Sequence, residues 1–157
     1  MNERFYSTPF SKTVAAIIGW FHRVRVEVYT DGSYKNGCGS WAFVVVHQGR
    51  ILKEASGRAK KTNSLRMEIQ AAIEALGALR ALKERFRPVL FSDSRTVVDA
   101  MQFGKEVEVS RPNADLINRL LSVSNELRVE WHWIKAHAGH FYNERCDELC
   151  VAARSNH

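Results

Sequence analysis

Val24-Arg-Val-Glu-Val-Tyr-Thr30 alternates apolar and polar side chains and leads directly into Asp31-Gly-Ser33. Its period of two and its β-branched residues predict a strand that ends at Asp31. Working outward, Asn36-Gly-Cys-Gly39 reads as a loop, Trp41-Ala-Phe-Val-Val-Val46 as a second strand, His47-Gln-Gly49 as a turn and 50–59 as a third strand. Three strands joined by short turns predict an antiparallel meander. The period then changes. Leu65, Ile69, Ala72, Ile73, Leu76 and Leu79 recur at helical spacing. They predict a helix from a cap at Thr62 or Ser64 to about Lys83 or Arg85, with Pro88 beyond its end. Val89-Leu-Phe91 is a short buried strand that delivers Ser92-Asp-Ser94 at its carboxyl end. A helix over 95–103, a helix opened by Pro112, a strand over 128–134 and a helix over 143–154 complete the chain. The order βββαβααβα predicts an α/β fold, a mixed sheet of meander plus parallel strands with helices on its faces.

A chain of 157 residues is one domain by length. Its net charge of +6 and pI near 9.5 favour a polyanionic partner, although many basic proteins bind no nucleic acid. Three cysteines, Cys38, Cys146 and Cys150, form no disulfide framework, which suits a reducing, cytoplasmic setting. No apolar stretch approaches the roughly 20 residues of a membrane span. The longest, 14–21, runs into the first strand without a small-residue cleavage site. Residues 1–23 read as an N-terminal extension, either a short helix over 11–22 or a tail. Its Arg4, Lys12 and Arg23 alternate with Phe5, Tyr6, Phe10, Trp20 and Phe21, a pattern able to grip a phosphate backbone. Residues 24–157 form the domain proper.

Asp31 and Asp93 each close a strand, the place where α/β proteins carry their chemistry, and they converge if those strands are parallel neighbours. Glu68 and Asp147 stand at the edges of the apolar stripes of their helices. One acid at such a place ordinarily caps a turn or faces solvent. Four gathered together would repel each other unless cations neutralise them. An all-oxygen ligand set suits Mg²⁺, with Mn²⁺ possible, and two such ions activate water and stabilise a leaving oxygen in phosphodiester cleavage.

The chain resembles the type 1 ribonuclease H family from Val24 to Arg154. The resemblance is carried by Thr30-Asp-Gly-Ser33, Arg66-Met-Glu68 with Ala71-Ala72, Ser92-Asp-Ser94, and above all Ile134-Lys-Ala-His-Ala-Gly-His140 with Asn143-Glu-Arg-Cys-Asp-Glu-Leu149. It implies a ribonuclease H-like fold with a five-stranded mixed sheet, and hydrolysis of the RNA strand of RNA–DNA hybrids by two metal ions. It also implies metal-ligand roles for Asp31, Glu68, Asp93 and Asp147, and a proton-shuttling or product-releasing role for His137. Imidazole titrates near neutrality, and His137 lies in a Gly/Ala-containing segment able to move. The resemblance further places Asn113 and the stretch Lys61-Thr-Asn63, with Arg66 beside it, near a DNA-strand phosphate. Gly32, Ser33 and Asn36 are the expected contacts to RNA 2′-hydroxyls. A monomer is expected.

Three departures bear on affinity. The loop after Asp31 is shorter than in many relatives. Leu65 replaces a polar amide and cannot bond a base edge. The region 99–113 lacks the Lys/Trp-rich protrusion of some relatives, offering Lys105 and Arg111 against Glu106 and Glu108. Other readings are a hybrid-binding module of the same fold with little or no turnover, and a relative of the integrase or Holliday-junction nucleases. His137, His140, Cys146 and Cys150 also have the makings of a zinc site, although H-x2-H with C-x3-C is no standard finger and the cysteines lie on a core face.

Overall fold

The computed structural model describes residues 23–82, 84–103 and 113–155. The expected extension, apart from Arg23, and the helix start at Pro112 lie outside the described residues. Strands β1 (Val24–Lys35), β2 (Cys38–His47) and β3 (Arg50–Lys60) are followed by helix α1 (Ser64–Arg80) and strand β4 (Phe86–Ser92). Helices α2 (Arg95–Phe103) and α3 (Ala114–Leu127), strand β5 (Glu130–Trp133) and helix α4 (Phe141–Ser155) complete the order. The five strands lie as β3-β2-β1-β4-β5, with β1–β2 and β2–β3 antiparallel and β1–β4 and β4–β5 parallel.

Two-residue turns set the meander. Asn36-Gly37 (φ 52° and 80°) and Gln48-Gly49 (φ 50° and 74°) both take consecutive left-handed conformations, which match the twist of the strands they join. The tight first turn corrects the expectation that β1 ends at Asp31. That strand continues to Lys35, paired with Cys38, and β2 begins at Cys38 rather than Trp41. Only the parallel pairing with β4 stops early, at Thr30 opposite Ser92.

Other boundaries move for similar local reasons. Asn63, not Thr62 or Ser64, caps α1, its Oδ1 accepting the Arg66 N–H at 2.8 Å. That helix stops at Arg80, short of Lys83, and β4 starts at Phe86, whose ring is buried. Pro88 lies inside β4, but β5 joins only at Val89, so Pro88 stands where a missing N–H is tolerated. Arg128 ends α3 in the left-handed conformation (φ 54°), which leaves β5 to begin at Glu130 rather than 128. Helix α4 begins at Phe141, two residues before the expected start at Asn143.

The helices divide between two faces. Ile69, Ile73 and Leu76 of α1, Val97 and Val98 of α2, and Leu116 and Leu120 of α3 pack with Val26, Val28 and Leu90 of the sheet. Cys146 and Cys150 of α4 pack on Ala42, Val44 and Val46 on the other face. Arg145 of α4 also grips Glu54 of β3 with two bonds, 3.1 and 2.8 Å, a partly exposed pair. Among the described residues no helix is long and apolar enough to cross a membrane.

Candidate active site

The early end of the β1–β4 ladder creates the site. Asp31 and Asp93 each stand one residue beyond the last pair, Thr30 and Ser92, where the two parallel strands part. Glu68 arrives from α1, whose apolar stripe holds that helix against the sheet. The approach is close because Gly32 has no side chain; a Cβ there would overlap the backbone of Met67 and Glu68. Carboxylate oxygens of Asp31, Glu68 and Asp93 consequently lie within 4.8 Å of one another. Asp147, on α4, and His137, on the β5–α4 loop, line the same cleft of about 550 Å³.

Charge is crowded there. Burial raises the Asp31 carboxyl to about 6, and the charges of Asp93 and Asp147 add to the effect. Burial, then Asp31 and Asp93, pushes Glu68 well above the usual carboxylate range. Glu68 is only 9% exposed, and its Oε2 is buried with no hydrogen-bond partner. Orphaned buried oxygens are uncommon in folded proteins and call for a missing partner. A divalent cation with a preference for oxygen ligands fits this donor set.

His137 is exposed and holds a left-handed backbone (φ 50°) two residues before Gly139 (φ 82°). Among the described residues no histidine or thiol joins the cluster of Asp31, Glu68 and Asp93. Cys146 Sγ donates to Tyr29 O at 3.4 Å and Cys150 Sγ to Asp31 O at 3.5 Å, and burial pushes Cys150 up to about 12. Thiols committed to β1 carbonyls are packing groups, and the zinc reading has no geometry behind it.

Two carboxylates where β1 and β4 part, a third on α1, a fourth on α4 and a histidine on the β5–α4 loop thus face one cleft. The family model for RNase H matches residues 23–155. The chain belongs to the ribonuclease H family. Ribonuclease HI of Synechocystis is 37% identical over 144 residues, covering 83% of this chain and 88% of that protein. A ribonuclease H of Escherichia coli is also 37% identical over 144 residues, covering 84% and 90%. Among solved structures, a type 1 RNase H with the type 2 active-site motif superposes with a TM-score of 0.73 at 30% identity, covering 83% of this chain and 72% of that one. An RNase H1 crystallised with an RNA/DNA hybrid shares the fold at a TM-score of 0.69 and 20% identity, with 83% and 99% covered.

Within this ribonuclease H fold the remaining residues singled out from sequence separate into two groups. Gly32 and Ser33 line the cleft, whereas Asn36 sits in the hairpin turn beyond it. Lys61, Thr62, Asn63, Arg66 and Asn113 lie outside the lining, around the N-termini of α1 and α3, which the Arg66–Asp115 ion pair (3.2 Å) ties together. Asn63 spends its carbonyl on the cap, and Asn113 is 2% exposed.

Two residues that hold Asp93 were not singled out from sequence. Asn143, 5% exposed, offers Nδ2 to Asp93 Oδ2 at 3.4 Å and leaves its own Oδ1 buried without a partner. Trp133 Nε1 donates to the Asp93 carbonyl at 3.0 Å. Asn143 stood inside the quoted motif 143–149, but nothing in its type or spacing distinguished it from a helix-start residue. Trp133 fell within the expected strand over 128–134 with nothing to mark it.

Proposed function

We propose that this chain is a ribonuclease H that cleaves the RNA strand of RNA–DNA hybrids, with Asp31, Glu68, Asp93 and Asp147 holding divalent metal. The observation that carries the reading is the trio of carboxylates within 4.8 Å, in which burial and neighbouring charge raise Asp31 and Glu68 above the usual carboxylate range. The names of the relatives and the hybrid bound by the structural neighbour support the substrate class. Magnesium, or manganese, bound as two ions in the presence of substrate, would supply an activated water and neutralise charge on the leaving oxygen.

The chain's own residues perform the rest. Trp133 and Asn143 fix Asp93 from two sides, and Gly32 lets Glu68 come up to Asp31. Ser33 and the backbone of Gly32 line the cleft where an RNA strand would lie, in reach of its 2′-hydroxyls. Lys61 to Asn63, Arg66 and Asn113 form a separate ledge for the DNA strand. His137, exposed on its loop at the cleft, takes up or returns a proton as the RNA oxygen leaves. The protein acts as a monomer, and its three free thiols suit the reducing cytoplasm.

Labelled RNA–DNA hybrid, duplex RNA and duplex DNA, each incubated with Mg²⁺, Mn²⁺ or EDTA, test the reading. Cleavage confined to the RNA of the hybrid, and abolished by EDTA, is expected. Hybrid binding without cleavage under every condition would leave a binding module instead. His137→Ala should slow turnover by roughly ten- to several-hundredfold without abolishing it, the range for losing acid–base assistance. Steady-state rates decide; an unchanged rate would remove His137 from the chemistry.

A further inference from the structure

Arg95 is the first residue of α2, exposed to solvent, and its guanidinium carbon lies 4.1 Å from the centre of the Trp133 ring. That indole is in turn pinned by its N–H to the Asp93 carbonyl at 3.0 Å. The neighbours of Arg95 on either side, Ser94 and Thr96, both line the active-site cleft. A long cationic side chain is thus stacked on a rigid aromatic plate at the cleft rim, one hydrogen bond from the backbone of Asp93. Stacking on an aromatic face holds a guanidinium in place and leaves its edge N–H groups free to bond an anion. No acid among the described residues forms a salt bridge with it. A cation beside four acids would ordinarily be drawn into pairing with one of them. Here the indole holds it, and its charge remains available to a ligand.

We infer that Arg95 binds a backbone phosphate of the RNA strand beside the cleavage point, with Trp133 as its platform. The guanidinium matches phosphate bidentately, a fit that lysine's point charge lacks. The same indole acts on two groups, presenting Arg95 through its face and steadying Asp93 through its N–H. Substrate grip and metal-ligand geometry are thereby joined in one side chain. In a chain expected to lack the basic protrusion of some relatives, such a contact partly offsets the loss.

The inference rests on the hybrid-cleaving reading above, and the experiment separates their failures. Hybrid binding is measured in EDTA across a salt series, and steady-state cleavage in Mg²⁺, for the full chain and its Arg95→Ala, Arg95→Lys, Trp133→Phe and Arg119→Ala variants. Arg95→Ala should raise KM by about three- to tenfold and lower the slope of log K against log[salt] by about 0.7–0.9, one phosphate contact. Arg95→Lys should keep the slope but recover only part of KM. Trp133→Phe keeps a stacking face and loses the N–H, so it should lower kcat more than it raises KM. Arg119→Ala, which removes the same charge from α3, should match the parent. A parent that cleaves hybrid while Arg95→Ala retains its KM and salt slope overturns the inference alone. A parent that neither prefers hybrid nor cleaves it overturns the functional reading, and the inference with it.

Discussion

Asp31→Asn is expected to abolish hybrid cleavage while leaving a protein at least as stable as the parent in EDTA. Asp31 is the central acid of the cluster, within 4.8 Å of Glu68 and Asp93 and acted on by the charge of Asp147. Replacing its carboxylate by an amide removes a charged ligand at the point where bound cations would be shared. Stability should move the other way. The Asp31 carboxyl is raised from 3.8 to about 6 by folding, so the native state holds this proton more tightly than the unfolded chain does. Its contribution is therefore neutral at low pH, turns unfavourable as pH rises above about 4, and reaches its full size above about 6. A shift of that size corresponds to on the order of 2–3 kcal/mol, an upper figure that relaxation of the cluster will reduce. The amide variant escapes this penalty. In denaturant titrations with EDTA it should gain stability over the parent at about pH 7 and lose that gain at about pH 4. Near-parental turnover by the pure variant would remove Asp31 from the metal centre, and a larger gain at the lower pH would contradict the electrostatic account.

Gly32→Ala should damage both fold and activity although it adds one methyl group. The new Cβ would overlap the Glu68 nitrogen and α-carbon and the Met67 carbonyl carbon. All three are backbone atoms, so no rotamer change relieves the contact and α1 must lift from β1. That helix is held down by Ile69, Ala72, Ile73 and Leu76, which pack against Val26 and Val28 among others. Overpacking at such a place costs about 1–3 kcal/mol. The displaced helix carries Glu68 away from Asp31, and a misplacement of about 1 Å at a reacting centre can lower rates by roughly a hundredfold. Thermal unfolding and initial rates on hybrid should both fall. If Gly32→Ala cleaves and melts like the parent, the approach of α1 to β1 is looser than the geometry indicates, and Glu68 is placed by other contacts.

Local pattern and three-dimensional arrangement contributed differently to these results. The period-two run 24–30, the helical stripe from Leu65 to Leu79 and the acids at Asp31, Glu68, Asp93 and Asp147 were all readable from the chain, because side-chain periodicity and residue type are encoded within a few residues. So were the family motifs around His137 and 143–149. Element ends were less legible. Asn36-Gly37 carried β1 four residues past Asp31, and Asn63 took the cap expected of Thr62 or Ser64, since turns and caps are decided by which φ values and which backbone donors are present in space. Tertiary structure alone decided that β1 and β4 part at Thr30 and Ser92, which turns Asp31 and Asp93 from separate strand residues into neighbours. It also decided that Gly32 is a clearance for a helix, and that Trp133 and Asn143 hold Asp93. The physical reason is the same in each case. A carboxylate's identity belongs to its own residue, but its burial, its repulsions and its hydrogen bonds depend on partners from other elements, which only the packed sheet and helices bring within reach.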